Sequence, residues 1–204
     1  MIEDVLSHIK IDDKKRLVVD EELNAFLFDV IKNKSRVAHS ISVAQLSFDI
    51  ALSNNLDNPE HYLVAGLLHD LAKGLDTNTL KTYMTRYFKE YLDLPSYTYH
   101  QFISVYLTQK YFNIHNENLL DAIKFHCTGK PKMNSIGKIV YSADKADPLR
   151  GYDSNKMINL LKIDYNEGFI YTLNENRIFL LNKLYKGEST NNRLSEECFA
   201  YYLK

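Results

Sequence analysis

An imidazole and a carboxylate stand side by side at the end of the most apolar stretch of the chain. His69 and Asp70 directly follow residues 63–68, which read Leu-Val-Ala-Gly-Leu-Leu. A carboxylate buried in such a stretch costs several kcal/mol unless it is paired or binds a metal. The alternative is an ordinary histidine–aspartate pair at a helix end, with Lys73 nearby. The pair marks a candidate site, and other residues must indicate whether a metal binds there.

Two further side chains offer the same ligand types. His39 shares a predicted helix face with the apolar residues 43–44, and Asp144 closes the apolar stretch 140–143. With the first pair they supply two imidazoles and two carboxylates from three separate segments. Mixed nitrogen and oxygen ligands suit Fe, Mn, Co or Zn, and suit neither a soft copper site nor an all-oxygen calcium site. Each group could be a separately satisfied core residue, but one shared metal accounts for all four.

The elements that must position these residues are predicted to be helices. Only seven Gly and four Pro occur in 204 residues, which favours an all-α fold over a sandwich or barrel. Asn58 and Pro59 predict the start of a central, buried helix that ends at Gly74. Ser35 is the expected N-cap of the preceding helix. The predicted helices span residues 1–10, 20–32, 35–54, 59–73, 77–91, 98–111, 116–125, 135–146, 155–161, 165–185 and 196–203, and residues 187–193 form a predicted loop.

Composition argues against several other classes of protein. The net charge of −1 argues against a nonspecific nucleic-acid binder. Two cysteines without a CxxC pair argue against a disulfide scaffold or a cysteine-rich zinc site. The acidic residues 1–4 are not typical of a secretory signal, and no stretch approaches the roughly 18 apolar residues of a membrane span. We therefore expect a cytoplasmic protein without a membrane partner.

The ordered set of candidate ligands resembles a known family. The order His39, His69-Asp70, Asp144 is similar to that of HD-domain metal-dependent phosphohydrolases. The flanking residues resemble a narrower group, the bacterial symmetrical diadenosine tetraphosphatases (YqeK type). The matching stretches are residues 36–39, 43–44, 65–73, 100, 123–129, 143–148 and 150. The resemblance runs from about residue 35 to 185. It implies an N-terminal helical extension over residues 1–34 and an HD-type phosphohydrolase domain with C-terminal helices over residues 35–204. The implied fold is an all-α HD-domain helical bundle.

The resemblance also implies roles for individual residues. The implied metal ligands are His39, His69, Asp70 and Asp144, and the implied cofactor is one divalent transition metal, iron first, with Mn or Co as alternatives. The implied catalytic residues are Asp70, His100, His126 and Arg150. The implied substrate-binding residues are Arg36, Asp70, Lys73, His100, His126, Cys127, Thr128, Gly129, Asp144 and Arg150.

Some of these residues have rival interpretations. Lys73 could simply decorate a helix end, and Arg36 could be a surface charge. His100 and His126 could bind a second metal, as in di-iron HD relatives, and Cys127 offers a thiol nucleophile without an evident base. Three other histidines match nothing and are expected at the surface: His8, His61 and His115. The sequence departs from the family's usual pattern at Cys127 (usually Thr), Lys130 (usually Arg), Asp147 (usually Glu) and in the longer N-terminal segment.

The implied function is hydrolysis of diadenosine tetraphosphate to two ADP, assisted by the metal. The implied partners are this dinucleoside polyphosphate and ADP, and a homodimer is compatible with the sequence. The enzymatic alternative is another HD phosphohydrolase, acting on a nucleoside monophosphate, a deoxynucleoside triphosphate or a cyclic dinucleotide. Two interpretations without catalysis also stay open: a sensor that binds metal and nucleotide, and a helical adaptor without metal.

Overall fold

The structure is a computed structural model that describes residues 1–187 and 192–204. Within these residues the chain forms helices almost throughout, with one small antiparallel hairpin. The α-helices are α1 (Ile2–Leu6), α2 (Glu21–Ile31), α3 (Lys34–Ser53), α4 (Pro59–Leu68), α5 (Thr77–Tyr87), α6 (Tyr99–Phe112), α7 (Glu117–Lys124), α8 (Ser135–Ala146), α9 (Asn155–Ile163), α10 (Tyr165–Tyr185) and α11 (Arg193–Tyr202). The strands are β1 (Ile9–Ile11) and β2 (Leu17–Val19), and short 3-10 turns cover Leu71–Gly74, Lys89–Tyr91, Ser96–Thr98 and Pro148–Arg150. The all-α prediction is confirmed.

The N-terminal segment differs from the prediction, because the chain forms α1 and then a hairpin of β1 and β2 instead of one helix over residues 1–10. Strands β1 and β2 pair with Ile9 opposite Val19. The carboxylate of Asp12 closes the turn by accepting the amide hydrogens of Lys14 and Arg16, at 2.9 and 2.8 Å. Three-residue strands are too short to show an alternating pattern, so the turn looked like a charged break. Side chains of residues 1–34 share one apolar core with the later helices.

Helices α3 and α4 form the centre of the fold. All residues of α4 from Tyr62 to Leu68 are buried, as the apolar run predicted. A Cβ atom at Gly66 would lie 2.9 Å from the Cα atom of Ala44, so only glycine allows this close approach of α3 and α4. The approach brings the end of α4 next to the N-terminal half of α3, where His39 lies.

Several predicted helix ends were wrong, including the start of α3, the end of α4 and the end of the predicted helix 77–91, which stops at Tyr87. The N-cap of α3 is Asn33, whose side chain accepts the amide hydrogen of Arg36, rather than Ser35. The α4 helix ends at Leu68 instead of continuing to Gly74. The ring of His69 donates to the carbonyl oxygen of Gly66, the acceptor that a continuing helix would give to the amide of Asp70. The chain therefore turns at Asp70 and continues as a 3-10 turn.

The C-terminal helices form a second, smaller apolar cluster against α8. Its buried members come from α8, α10, α11 and the segment before α8, and they are Met133, Tyr141, Phe169, Leu173, Cys198 and Phe199. The predicted loop at 187–193 lies largely outside the described residues, and Arg193 already belongs to α11. In the described part of the chain no helix is long and apolar enough to cross a lipid bilayer.

Candidate metal centre

Six polar side chains from five different helices or their ends meet at one place in the core. His39 comes from α3, His69 and Asp70 from the end of α4, His100 from the first turn of α6, His126 from the end of α7 and Asp144 from α8. Five of the six are buried, and His39 is half-buried. The structure thus brings together all four predicted metal ligands and two of the predicted phosphate contacts.

Three of the imidazoles are held in the same way. His69, His100 and His126 each place Nδ1 against the carbonyl oxygen three residues earlier. The acceptors are Gly66, Tyr97 and Ile123, at 2.7, 2.8 and 2.8 Å. An imidazole that donates from Nδ1 keeps a lone pair on Nε2, and in all three residues that lone pair faces the others and Asp70.

Two of the facing atoms lack a hydrogen-bond partner. Nε2 of His69 and Oδ1 of Asp70 are buried without one among residues 1–187 and 192–204. Burial lowers the pKa of His69 to about 4, so this imidazole is neutral at pH 7. A buried acceptor without a donor costs free energy, and a cation that takes its lone pair removes that cost. Both atoms therefore fit a bound metal.

The first ligand group consists of His39, His69, Asp70 and Asp144. The ligand atoms of the first three lie within 4.8 Å of one another. Oδ1 of Asp144 lies 3.1 Å from Nε2 of His39 and 3.8 Å from Nε2 of His69. Ligand atoms bound at about 2.1 Å to one ion are about 3 Å apart when adjacent and about 4 Å apart when opposite. The two separations from Asp144 match ligand atoms of a shared ion.

The second group consists of Asp70, His100 and His126, whose ligand atoms also lie within 4.8 Å of one another. Oδ1 of Asp70 is 3.3 Å from Nε2 of His100 and 3.4 Å from Nε2 of His126. Lys73 adds a cation here, because its Nζ lies 3.1 Å from Nε2 of His100. Asp70 is therefore shared by two groups, one with a second carboxylate and one with an ammonium.

The carboxylates stay ionised despite their burial. Burial acts to raise the pKa of Asp144, but Lys145 and Arg150 outweigh it and hold that pKa well below its usual range. Nζ of Lys145 lies 3.0 Å from Oδ2 of Asp144, and the guanidinium of Arg150 donates to Oδ1. Burial likewise opposes protonation of His39, but hydrogen bonds to Asp144 and Asp147 raise its pKa to about 9. His39 must therefore lose a proton before it can bind a metal.

The other predicted substrate-binding residues lie in different surroundings from one another. Arg36 lies one turn before His39 on α3, is half-exposed, and its side chain forms no ion pair with the described residues. Cys127 is half-buried beside His126, and burial raises the pKa of its thiol. The hydroxyl of Thr128 lies 3.0 Å from the oxygen of Gly129, and a Cβ at Gly129 would meet Sγ of Cys198 at 2.6 Å. Thr128 and Gly129 thus pack toward α11, and their role toward substrate stays a prediction.

The expected surface histidines are only partly at the surface. His115 is exposed, whereas His8 and His61 are half-buried. His8 is held by Asp20, whose Oδ2 lies 2.8 Å from Nδ1. None of the three belongs to either ligand group.

Sequence reasoning missed the residues that support the site. Asp147 is fully buried and contacts both His39 and Ser42, and Lys145 binds Asp144 and the carbonyl oxygen of His126. The available signal was spacing: Ser42 follows His39 by three residues, and therefore lies on the same face of a helix. Asp147 was noted only as a departure from the family pattern.

These residues and their order match a known family. The HD domain profile matches residues 36–149, more than half of the chain. The chain belongs to the HD domain family. This confirms the resemblance seen in the sequence, and with it the helical-bundle fold of the HD domain.

Several HD domain relatives are named for one activity. The chain is 26% identical over 151 residues to a symmetrical bis(5'-nucleosyl)-tetraphosphatase of Bacillus subtilis, covering 72% of this chain and 81% of that protein. It is 31% identical over 152 residues to the protein of the same name from Halalkalibacterium halodurans, covering 72% and 80%. A probable nicotinate-nucleotide adenylyltransferase/Ap4A hydrolase of Mycoplasma genitalium is 29% identical, and the chain spans only 41% of its length.

A solved structure has the same fold. It is named as a predicted HD superfamily hydrolase involved in NAD metabolism from Clostridium acetobutylicum. The TM-score is 0.75 at 26% identity, and the match covers 90% of this chain and 96% of that one. The likeness therefore extends beyond the HD domain proper into most of the N-terminal and C-terminal helices.

Proposed function

We propose that this HD domain protein is a metal-dependent phosphoanhydride hydrolase that cleaves diadenosine tetraphosphate symmetrically to two ADP. The hydrolase proposal rests on two buried atoms, Nε2 of His69 and Oδ1 of Asp70, which have no hydrogen-bond partner among the described residues. They lie where the two ligand groups meet. The substrate rests on the two tetraphosphatases of which the chain covers 80% and 81%. Other substrates of HD hydrolases are the alternative.

The proposed cofactor is one divalent transition metal, iron in the first place, with Mn or Co as substitutes. Its proposed ligands are His39, His69, Asp70 and Asp144, a mixed nitrogen and oxygen set that suits these ions. When bound, the ion supplies Lewis acidity and an activated water at neutral pH.

The side chains of the site divide the remaining work. Asp70 orients the attacking water and accepts its proton, because Oδ1 has no hydrogen-bond partner among residues 1–187 and 192–204 and faces the second group. The water oxygen bonds to one central phosphorus, and the bridging oxygen leaves with the other ADP. His100, His126 and Arg150 stabilise the charge that develops on the phosphate chain.

The outer substrate residues would hold the rest of the polyphosphate. Lys73 lies beside His100, and the guanidinium of Arg36, one turn before His39, forms no ion pair within the described part of the chain. Cys127, Thr128 and Gly129 complete the proposed substrate wall after α7. The proposed location is the cytoplasm, and light scattering will decide between monomer and homodimer.

Product analysis tests the proposal. Purified protein is incubated with diadenosine tetraphosphate and Fe²⁺, Mn²⁺ or Co²⁺, and products are separated by chromatography. We expect ADP as the only product and no turnover after chelation. AMP and ATP as products would contradict symmetric cleavage. Binding of ADP without turnover would identify a sensor, and faster turnover of a nucleoside monophosphate, a deoxynucleoside triphosphate or a cyclic dinucleotide would identify a different HD hydrolase.

A further inference from the structure

His39 is held differently from the other three imidazoles of the site. Its Nδ1 lies 2.6 Å from Oδ2 of Asp147, a carboxylate, whereas the others donate to backbone carbonyl oxygens. Its Nε2 faces Asp144 across 3.1 Å. His39 therefore stands between two carboxylates, one inside the first ligand group and one behind it.

Asp147 is itself held rigidly. It is 0% exposed, and its second oxygen, Oδ1, accepts the hydroxyl of Ser42 at 2.6 Å and the amide hydrogen of Leu149 at 3.2 Å. Because Ser42 lies one turn after His39 on α3, the same helix carries the imidazole and one clamp of the carboxylate behind it. Both oxygens of Asp147 are thus engaged, and neither is free to bind a metal or substrate.

We propose that Asp147 is a positioning residue that fixes the Nδ1–H tautomer of His39, aims Nε2 at the metal, and strengthens His39 as a ligand. A carboxylate behind a metal-binding imidazole fixes the ring orientation and raises the basicity of the ligating nitrogen. A backbone carbonyl fixes the ring without adding a full negative charge. Asp147 therefore makes Nε2 of His39 the most basic imidazole ligand of the site. This inference rests on the proposed metal position at His39.

A competing explanation is purely structural, because Asp147 also caps the 3-10 turn Pro148–Arg150 through Leu149. The chain offers a matched control for it. Asp20 also binds an imidazole Nδ1, that of His8 at 2.8 Å, and also caps a helix, α2, through the amide of Leu23 at 3.0 Å. Asp20 belongs to neither ligand group. Asp147→Asn and Asp20→Asn therefore make the same chemical change with and without a link to the metal.

The experiment measures Co²⁺ binding by competition with a chelator, together with the visible absorption of bound Co²⁺. Asn at 147 keeps an oxygen that accepts the Nδ1–H but removes the charge. We expect Asp147→Asn to weaken Co²⁺ binding by about 10- to 100-fold and to shift the absorption bands, because outer partners of ligating histidines carry effects of this size. Asp20→Asn should match the wild type in both measurements.

Ser42→Ala keeps the carboxylate but removes one of its clamps, and provides a second test if Asp147→Asn does not fold. It should weaken Co²⁺ binding by about threefold to tenfold, the size of one lost hydrogen bond. If the folded variants melt at a lower temperature but keep the Co²⁺ affinity and spectrum of the wild type, Asp147 only caps the 3-10 turn. That result would overturn the inference. Wild-type protein that binds no Co²⁺ would instead overturn the proposed metal site.

Discussion

The two groups of imidazoles on either side of Asp70 differ in the charges around them. His39 and His69 share their side with the carboxylate of Asp144, which also pairs with Lys145 and Arg150 from behind. His100 and His126 have no second carboxylate within their group, and Lys73 lies 3.1 Å from Nε2 of His100. The first side is suited to a cation. The second is suited to an anion such as a phosphate chain.

The difference shows how nearly identical side chains can be given different tasks. In all four imidazoles Nδ1 is held by a carboxylate or a backbone carbonyl oxygen, so Nε2 is the nitrogen that faces the site. Only His39 is anchored by a carboxylate. The electrostatic surroundings, rather than the residue type, therefore distinguish the side proposed to bind the metal from the side proposed to bind phosphate, which are called the metal side and the phosphate side below.

His39→Ala should have the largest effect, because it removes a ligand on the metal side. We expect loss of bound metal and a fall in kcat of more than about a thousandfold, since Lewis-acid stabilisation is worth several kcal/mol. Metal content by mass spectrometry and steady-state kinetics measure both. His115→Ala, at an exposed histidine outside the site, is the control. An active, metal-loaded His39→Ala protein would erase the proposed difference between the two sides.

The four proposed metal ligands could be found in the sequence because their types and order are specific. A carboxylate at the end of an apolar run, as at Asp70 and Asp144, can be recognised from the sequence alone. The roles of Asp147 and Lys145 could not be found in this way. Asp147 contacts His39 and Lys145 contacts the carbonyl oxygen of His126, and both partners lie 19 or more positions earlier in the chain.

The fold was predictable to a similar extent. Long amphipathic or apolar segments gave α2, α4 and α8 close to their observed positions, because burial of one face requires a regular spacing. The end of α4 was not predictable, since it depends on where the ring of His69 points. The hairpin of β1 and β2 was missed because it is held by one aspartate turn and by packing on the later helices.

His126→Ala tests the phosphate side. If His126 stabilises the phosphate chain, kcat should fall by about 100- to 1,000-fold, the usual cost of removing one preorganised donor, while metal content stays at the wild-type value. Metal content that falls from two ions per chain to one would show that the group of Asp70, His100 and His126 also binds a metal. That result would replace the proposed phosphate side with a second metal side.

Arg150→Ala should have a smaller effect that separates charge from ligation. A guanidinium cannot bind a cation, so the metal should remain. A charge-assisted contact to phosphate is worth about 1.5–3 kcal/mol, which predicts a loss of kcat/KM of about 10- to 150-fold. Arg150 also donates to Asp144, so Arg150→Lys, which keeps the charge, is the matched variant. Loss of metal in Arg150→Ala would show that Arg150 acts by orienting Asp144.

Cys127→Ser should have the smallest effect, because the thiol lies next to the phosphate side without a chemical task there. Burial raises the pKa of Cys127 even though Lys145 and Lys73 oppose the shift, so the thiolate that a nucleophile needs is scarce at pH 7. We expect kcat/KM to change by less than about twofold, since a serine of similar size keeps the backbone contact with Gln101. Steady-state kinetics on metal-loaded protein measure this. A loss beyond about 100-fold with normal metal content would assign covalent chemistry to the phosphate side and would contradict direct attack by water.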